Sequence, residues 1–529
     1  MRSRAICEQP GVTSSRSFRW GITVTKAFAY ALALASLGAS AHAADLDLGN
    51  LKDPIPDTLT WNGVTLYGTI DVGYGYQTHG APLGGSFPQS MAYNIYSSKY
   101  ANRAISSLEP SALERSGVGL KIDEPIGGGW VAIGKLDTAF DPLSGELSDG
   151  PASLLRNASH PLADQTANGD SGRAGQAFNG PIYAGLSNPI YGTLTVGRQQ
   201  SLQLDATATY DPQALAYAFS LLGWSSSLVG SGITEAARWD DSVIYIVEYG
   251  PFHAAGMYAQ GGPDFGFFGS AYGGDVGVIY GGFAVDAVYQ RVDGGVQLSA
   301  LTASPATGTQ SAFAPPANYS TTALNGLITD SDSWSVQGRY RFTFGEGLKD
   351  GGYKDGGLKD DLIAGSKLTL FAGYEEIRYF NSSQARDQEY IGQTAIGGYL
   401  IGFLPAIKGV SKASTLYFYG STRELQIPWA GVRYELPSGW SFTAAYYYLD
   451  QPAFSSTSVL SSPQAGSPNQ QKAYLAGTVN DGSFVVDYQF NKHFDVYAGV
   501  NYSTVDGGLA SGYLANNNTS VVTGARLKF

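Results

Sequence analysis

Past the N-terminal segment the histidines are His79, His160, His253 and His493. A metal centre legible in sequence needs ligands at short, fixed spacing, and these four are scattered. Gly169-Asp170-Ser171-Gly172 resembles the nucleophile motif of trypsin-like proteases. It stands in a polar stretch without the flanking strand that would present such a serine, so it is read as chance. No phosphate-cradling glycine loop precedes a helix. Between Phe344 and Lys367 a near-repeat of Lys-Asp-Gly-Gly offers Asp350, Asp355, Asp360 and Asp361. Carboxylates in that number suit calcium, but a solvated insertion is the preferred reading. No cofactor, no metal and no enzymatic activity are expected.

What remains is chemistry of charge and of surface. The chain has a formal net charge of −12, with 44 acidic against 32 Lys and Arg residues. Nucleic-acid binding wants a basic footprint, so no nucleic-acid partner is expected. Arg16, Arg19 and Lys26 precede an apolar stretch from Ala27 to Leu37, and Ala41-His42-Ala43 follows. This reads as a signal peptide over 1–43, cleaved after Ala43. The lead-in before Lys26 is long, and a start near Val24 would give a compact signal. Cleavage removes Cys7, the only cysteine, so the mature chain needs neither disulfides nor thiol chemistry. It also makes the mature chain more acidic. No apolar run approaches the roughly 20 residues of a membrane-spanning helix.

The elements that must position the charges are strands. From Val64 to Tyr74, Val64, Leu66, Gly68, Ile70, Val72 and Tyr74 alternate with Thr65, Tyr67, Thr69, Asp71 and Gly73. Period-2 alternation of this kind gives a strand with one apolar face. The pattern returns at Val118–Ile122, Trp334–Phe344, Phe484–Phe490 and Val521–Phe529. Short connections (Glu124–Gly129, Asn188–Tyr191, Gly250–Pro251, Gly281–Gly282, Pro437–Gly439, Asn491–His493) alternate with long polar ones, over about 79–113, 141–176, 200–238, 293–332, 379–426 and 451–477. Tight turns on one side and long loops on the other are the plan of a transmembrane antiparallel β-barrel. The strand count is sixteen, with eighteen as the alternative if 413–424 pairs separately. Trp130, Tyr191, Tyr249, Tyr280, Trp334, Trp440, Tyr446 and Tyr448 fall at strand ends, as interfacial girdles require. The arginines and lysines on the opposite faces would be refused by the dry core of a soluble β-sandwich.

In order and spacing these segments resemble the general porins of Gram-negative outer membranes. Val64-Thr-Leu-Tyr-Gly-Thr-Ile-Asp71 is similar to that family's first strand, and Arg115-Ser-Gly-Val-Gly-Leu-Lys-Ile-Asp-Glu124, followed by Gly-Gly-Gly-Trp130, to its second hairpin. Gln176-Ala-Phe-Asn-Gly180, Tyr183-Ala-Gly-Leu186 and Gly192-Thr-Leu-Thr-Val-Gly-Arg-Gln199 match the next pair. Tyr210-Asp-Pro212 falls where the family's inward-folded third loop should lie, and Arg238-Trp-Asp-Asp-Ser-Val-Ile-Tyr245 resembles the strand leaving it. Gly524-Ala-Arg-Leu-Lys-Phe529 fits the last strand. The middle of the chain is longer than the usual plan. The resemblance implies a barrel over 62–529 after a periplasmic lead-in at 44–61, with a constriction loop at about 200–238. It also implies a homotrimer in outer-membrane lipid, inserted by the barrel assembly machinery through a signal ending at Phe529. Its solutes would be ions and small hydrophilic molecules.

The resemblance assigns the basic wall of the pore to Arg115, Lys121, Arg198 and Arg238. Parity turns Arg115, Lys121 and Arg238 inward; Arg198 shares parity with Leu194 and Val196, so it reaches the lumen only if the strand kinks at Gly197. The segment Gln200–Glu235 has no basic residue but carries Asp205, Asp211 and Glu235. Folded inward, it would set carboxylates against the wall and create a transverse field. Asp211 has a second reading, a cap on the turn at Pro212. Arg339 and Arg341 face the lumen by pattern alone. A substrate-specific channel, a non-conducting surface barrel and a barrel enzyme stay open as alternatives, in that order.

Overall fold

The structure, a computed structural model, describes residues 59–78, 104–145, 178, 180–222, 238–261, 269–299, 325–344, 365–381, 383, 394–396, 399–402, 417–419, 421–454, 456–458, 476–507 and 517–529. Sixteen antiparallel strands close into one barrel. They are β1 (Val64–Gln77), β2 (in two pieces, Ile105–Pro110 and Gly117–Gly127), β3 (Trp130–Ala139), β4 (Ile182–Asn188) and β5 (Gly192–Gln200). After helix α1 (Leu202–Tyr210) come β6 (Arg238–Tyr249), β7 (Phe252–Ala259), β8 (Ala271–Tyr280), β9 (Phe283–Ser299), β10 (Asn325–Phe344) and β11 (Ser366–Asn381). The last five are β12 (Arg423–Glu435), β13 (Trp440–Gln451), β14 (Gly477–Asn491), β15 (Phe494–Gly507) and β16 (Asn517–Lys528). Each strand pairs with its sequence neighbour, and β16 pairs with β1 from Thr69↔Lys528 to Gln77↔Ser520. Closure leaves no edge, which a sheet in lipid requires.

The count of sixteen holds because the segment suspected of adding strands pairs elsewhere. Tyr417–Tyr419 joins Ser456–Ser458 in a separate two-stranded sheet. Several boundaries differ from the sequence reading, among them Ile105–Pro110, a strand inside the stretch read as a loop over about 79–113. β9 runs on to Ser299 and β10 begins at Asn325. The polar composition there masks paired strand, because the ladder's backbone hydrogen bonds do not depend on an apolar face. Leu59–Trp61, read as lead-in, already pairs with Val64–Leu66 across Asn62-Gly63. Both turn residues have positive φ, 48° and 75°, the geometry that favours Asn-Gly in a two-residue hairpin.

Alternation sorts each strand into two faces. On β1, Ile70, Tyr74 and Tyr76 are exposed outward, whereas Asp71 and Gln77 on the other face are buried. The outward set continues round the barrel through Leu194, Val196, Val243, Tyr245, Tyr272, Val276, Val336, Phe484 and Val521. Transfer of each such side chain out of water is worth about 1.5–3 kcal/mol, so a closed belt of them is stable only in an apolar solvent. Aromatic residues gather at the short-turn end: Tyr249 is 84% exposed, Tyr280 76% and Tyr191 61%. Trp130 stacks on Tyr191 there, with ring centroids 5.8 Å apart and planes 9° from parallel. The last residue completes the cylinder. Phe529 exchanges backbone hydrogen bonds with Gly68, at 2.9 and 3.0 Å, and its ring occupies the space that a Cβ at 68 would need.

Candidate functional site

The inside of the barrel is not filled by its own strands. It is entered by the chain that follows β5. Ser201 starts α1 by accepting a hydrogen bond at its side chain from the Leu204 amide, 3.2 Å away, and Asp205 in the first turn favours the positive end of the helix. The helix stops at Asp211, held extended by the proline that follows it (φ −74°, ψ 124°). Leu202 and Ala206 pack into an apolar cluster with Trp239, Ile244, Met257, Val288 and Val292 of the β6–β9 wall. Ser335 of β10 donates to Gln203 Oε1 at 2.8 Å. Farther along, Trp429 Nε1 of β12 donates to the Tyr210 carbonyl at 3.3 Å, and Arg433 donates to the Pro212 carbonyl. Gln213 reaches Ser483 of β14 at 2.9 Å. The segment ends against β14–β16, where Phe219 meets Tyr497 edge-on at 6.5 Å and packs with Val485 and Val522. It therefore lies along the inner wall from β6 round to β16.

The arginines assigned to the basic wall stand where this segment begins. Arg115 lies in the break of β2, and its guanidinium pairs with Asp137 of β3. The break is built by Asp71, whose carboxylate accepts from the Leu113 and Glu114 amides at 2.8 and 2.7 Å. Arg198 does reach the inside. Gly197 has φ +144° and the β5–β6 register shifts between Gly197 and Gln199, which is a bulge. Arg198 then pairs with Asp240. Arg238, 9% exposed, has no acidic partner among the described residues, and Arg115 and Arg198 are near enough to repel it. Lys121 sits nearer the short-turn end, largely solvated and paired with Asp123 at 2.9 Å. Lys135, which the sequence reading passed over, adds a further inward cation and lies 5.7 Å from the Tyr67 ring. Its parity with Asp137 was the available signal.

The acidic residues divide. Asp205 is exposed, and the basic groups acting on it are Lys135 and Arg238. Asp211 is 1% exposed and accepts from the Tyr447 hydroxyl and from the amides of Gln213 (3.2 Å) and Leu215 (2.7 Å). The two residues it spans, Ala214 and Leu215, have φ of 52° and 61°, which is strained for side chains of L residues. Asp211 therefore fastens the turn, the second of the two roles its sequence allowed, and offers no charge to the open lumen. Burial raises its carboxyl above the ordinary value, against the opposing pull of the Tyr447 and Ser220 hydroxyls and the two amides. Glu235 lies outside the described residues. On the far wall Arg339 approaches the Thr209 carbonyl at 3.5 Å and the Tyr210 ring at 5.9 Å, with Arg341 and Arg433 beside it. Arg433 was also missed, although it alternates with Val432 and Tyr434 in the sequence.

An apolar outside, a charged inside and a segment folded into the lumen define a membrane-spanning β-barrel channel. A family model described as Gram-negative porin matches residues 29–361, more than half of the 529-residue chain. The chain belongs to that family: it forms an outer-membrane channel for passive diffusion of small solutes. Among solved structures, it is similar to the anion-selective porin from Comamonas acidovorans, with 14% identity, 88% of this chain and 99% of that one covered, and a TM-score of 0.48. It is also similar to OmpT of Vibrio cholerae (11% identity, 90% and 100% covered, TM-score 0.46) and to OmpF of Salmonella typhi in complex with daunomycin (13%, 89% and 100%, TM-score 0.43). No curated protein matches the chain.

Proposed function

We propose that the Ser201–Leu222 segment is the constriction of a general diffusion pore, and that its narrow zone favours small anions. One observation carries this: Arg115, Arg198 and Arg238 stand together at the start of the inward segment, Arg115 paired with Asp137 and Arg198 with Asp240, and both near enough to act on Arg238. Lys135 adds to the surplus, and Arg339 and Arg341 repeat it on the far wall; Asp205 sets an opposing charge into the water between. The overall acidity of the chain does not decide selectivity, because exposed charges beyond a Debye length of about 8 Å are screened at physiological salt. The family match carries the reading of a pore rather than an enzyme.

The same reading places the short turns in the periplasm, the long loops outside the cell, and residues 1–43 in a cleaved signal. It takes the assembled protein to be a homotrimer, inserted by the assembly machinery through its C-terminal strand and Phe529. Reversal potentials of single channels in a planar bilayer under a KCl gradient test the selectivity. A unit charge about 4 Å from a permeating ion is worth about 1 kcal/mol at the dielectric of water, roughly fivefold in local ion concentration. The double variant R115Q/R238Q is therefore expected to lower the anion-to-cation permeability ratio several-fold. An unchanged reversal potential would take both arginines out of the selective zone.

A further inference from the structure

A second constellation lies on the inner wall of β7, β8 and β9, and no step of solute passage uses it. One inward row across these strands reads His253, Gly277, Asp286, with His253 opposite Gly277 and Gly277 opposite Asp286. Gly277 has no side chain, so its two neighbours close over it. A Cβ at that position would lie 1.9 Å from Asp286 Oδ1 and 2.4 Å from His253 Nε2. Two residues along β8 on the same face, Asp275 brings a second carboxylate. Asp286 Oδ1 is 3.0 Å and Asp275 Oδ2 3.7 Å from His253 Nε2. One atom from each of the three residues falls within 4.8 Å of the others.

These groups are short of donors. Asp286 is 7% exposed, and its Oδ1 lies 3.0 Å from the His253 ring nitrogen without a well-aligned hydrogen bond among the described residues. Asp275 Oδ1 likewise has no hydrogen-bond partner among the described residues. Two neighbouring carboxylates with unsatisfied buried oxygens cost free energy that a cation between them would remove. Tyr210 of α1 hydrogen-bonds to the Asp286 carboxylate and so fixes its orientation from the lumen side.

We propose that His253 Nε2 and the carboxylates of Asp275 and Asp286 bind a divalent transition-metal ion of the Zn²⁺ class, with water completing the shell. Ligands at the usual Zn–N and Zn–O lengths in a tetrahedron stand about 3.4 Å apart, between the two distances found here. The imidazole separates this class from Mg²⁺ and Ca²⁺, which prefer all-oxygen shells. Spacing along the chain hides the set, since each ligand comes from a different strand. The ion would sit beside α1 and add positive charge to the channel wall. The site does not depend on the constriction reading, because binding can be measured without conductance.

The test is calorimetric titration of the refolded full-length barrel with Zn²⁺ alone, repeated in excess Mg²⁺, with single-channel current recorded in parallel. The expected result is one saturable Zn²⁺ site per chain that Mg²⁺ does not displace, with a change in channel current over the same Zn²⁺ range. Changing a group that merely orients a metal ligand typically costs about 10–100-fold in affinity, so His253→Gln and Asp275→Asn should each weaken binding at least about tenfold. Two variants are used so that the test survives if either fails to fold, which the heat-dependent mobility of the barrel on a gel reports. His493→Gln, at a turn, should bind as the parent does. Absence of saturable binding, or parental affinity in both folded His253 and Asp275 variants, would overturn the proposal.

Discussion

Two stretches of the same inner wall treat the inward segment in opposite ways. Along β12–β15 the wall is shaped to receive it. Gly431 leaves room for Pro212, whose Cγ would be 2.4 Å from a Cβ at 431, and Gly499 does the same for Phe219 at 2.6 Å. Between them Tyr447 holds Asp211 and Ser483 takes Gln213. Along β2–β6 the wall instead gathers Arg115, Arg198 and Arg238, and the carboxylates that pair with Arg115 and Arg198 belong to neighbouring strands. A segment is docked where the wall gives up its side chains and supplies donors to it, the Tyr447 hydroxyl, the Trp429 indole and the Arg433 guanidinium among them. Water is kept where the wall carries charge, because an unpaired buried charge costs far more than a hydrated one. On the proposed function, position and selectivity of the narrow zone would be set by different strands, and the two can be separated experimentally.

The largest effect should come from filling the docking groove. In Gly431→Leu the new side chain takes the volume of Pro212, and overpacking a close-fitted site typically costs about 1–3 kcal/mol. The segment should leave the wall and move across the lumen, changing single-channel conductance severalfold while the barrel still assembles. Unaltered conductance in a folded variant would show that this wall does not position the segment. A smaller effect is expected of Tyr447→Phe. It removes the hydroxyl donated to Asp211 and leaves a buried acceptor short of a partner, a loss of about 1–3 kcal/mol. Limited proteolysis after Ser201 should speed up and channel noise should rise, with the reversal potential unchanged. A shifted reversal potential would break the division between the two walls.

The smallest effect concerns pH. The Asp211 carboxyl lies above its ordinary value in the folded protein, burial being the main cause. Between the ordinary and the raised value the folded chain therefore holds more proton than the unfolded one. Its contribution is fully present below the ordinary value and is lost as pH rises through that window. One group can supply a slope of at most about 1.4 kcal/mol per pH unit. Thermal unfolding in detergent should show the parent losing stability relative to Asp211→Asn as pH rises from about 4. Parallel curves would mean that Asp211 ionises freely and does not anchor the turn.

The class of the molecule was legible because lipid on one side and water on the other impose a period of two on every strand. Val64–Tyr74 and Val521–Phe529 declare it without any contact being known. The same parity turned Arg115, Lys121, Arg238, Arg339 and Arg341 inward, and Gly197 marked the place where Arg198 escapes its own parity. Polar strand ends were not legible. Residues 293–299 and 325–332 have loop-like composition, and their strand character comes only from the partner across the ladder.

The sequence by itself determined a closed alternating barrel, its girdles, its charged interior and the presence of an acidic segment after β5. Those properties are local, set by each residue's preference for lipid or water. The tertiary structure alone decided that Asp211 is an anchor while Asp205 faces water, that Gly431 and Gly499 are sockets, and that His253, Asp275 and Asp286 converge over Gly277. These depend on the register between strands far apart in the chain, fixed by closure of the whole sheet and not by the pattern of any one strand.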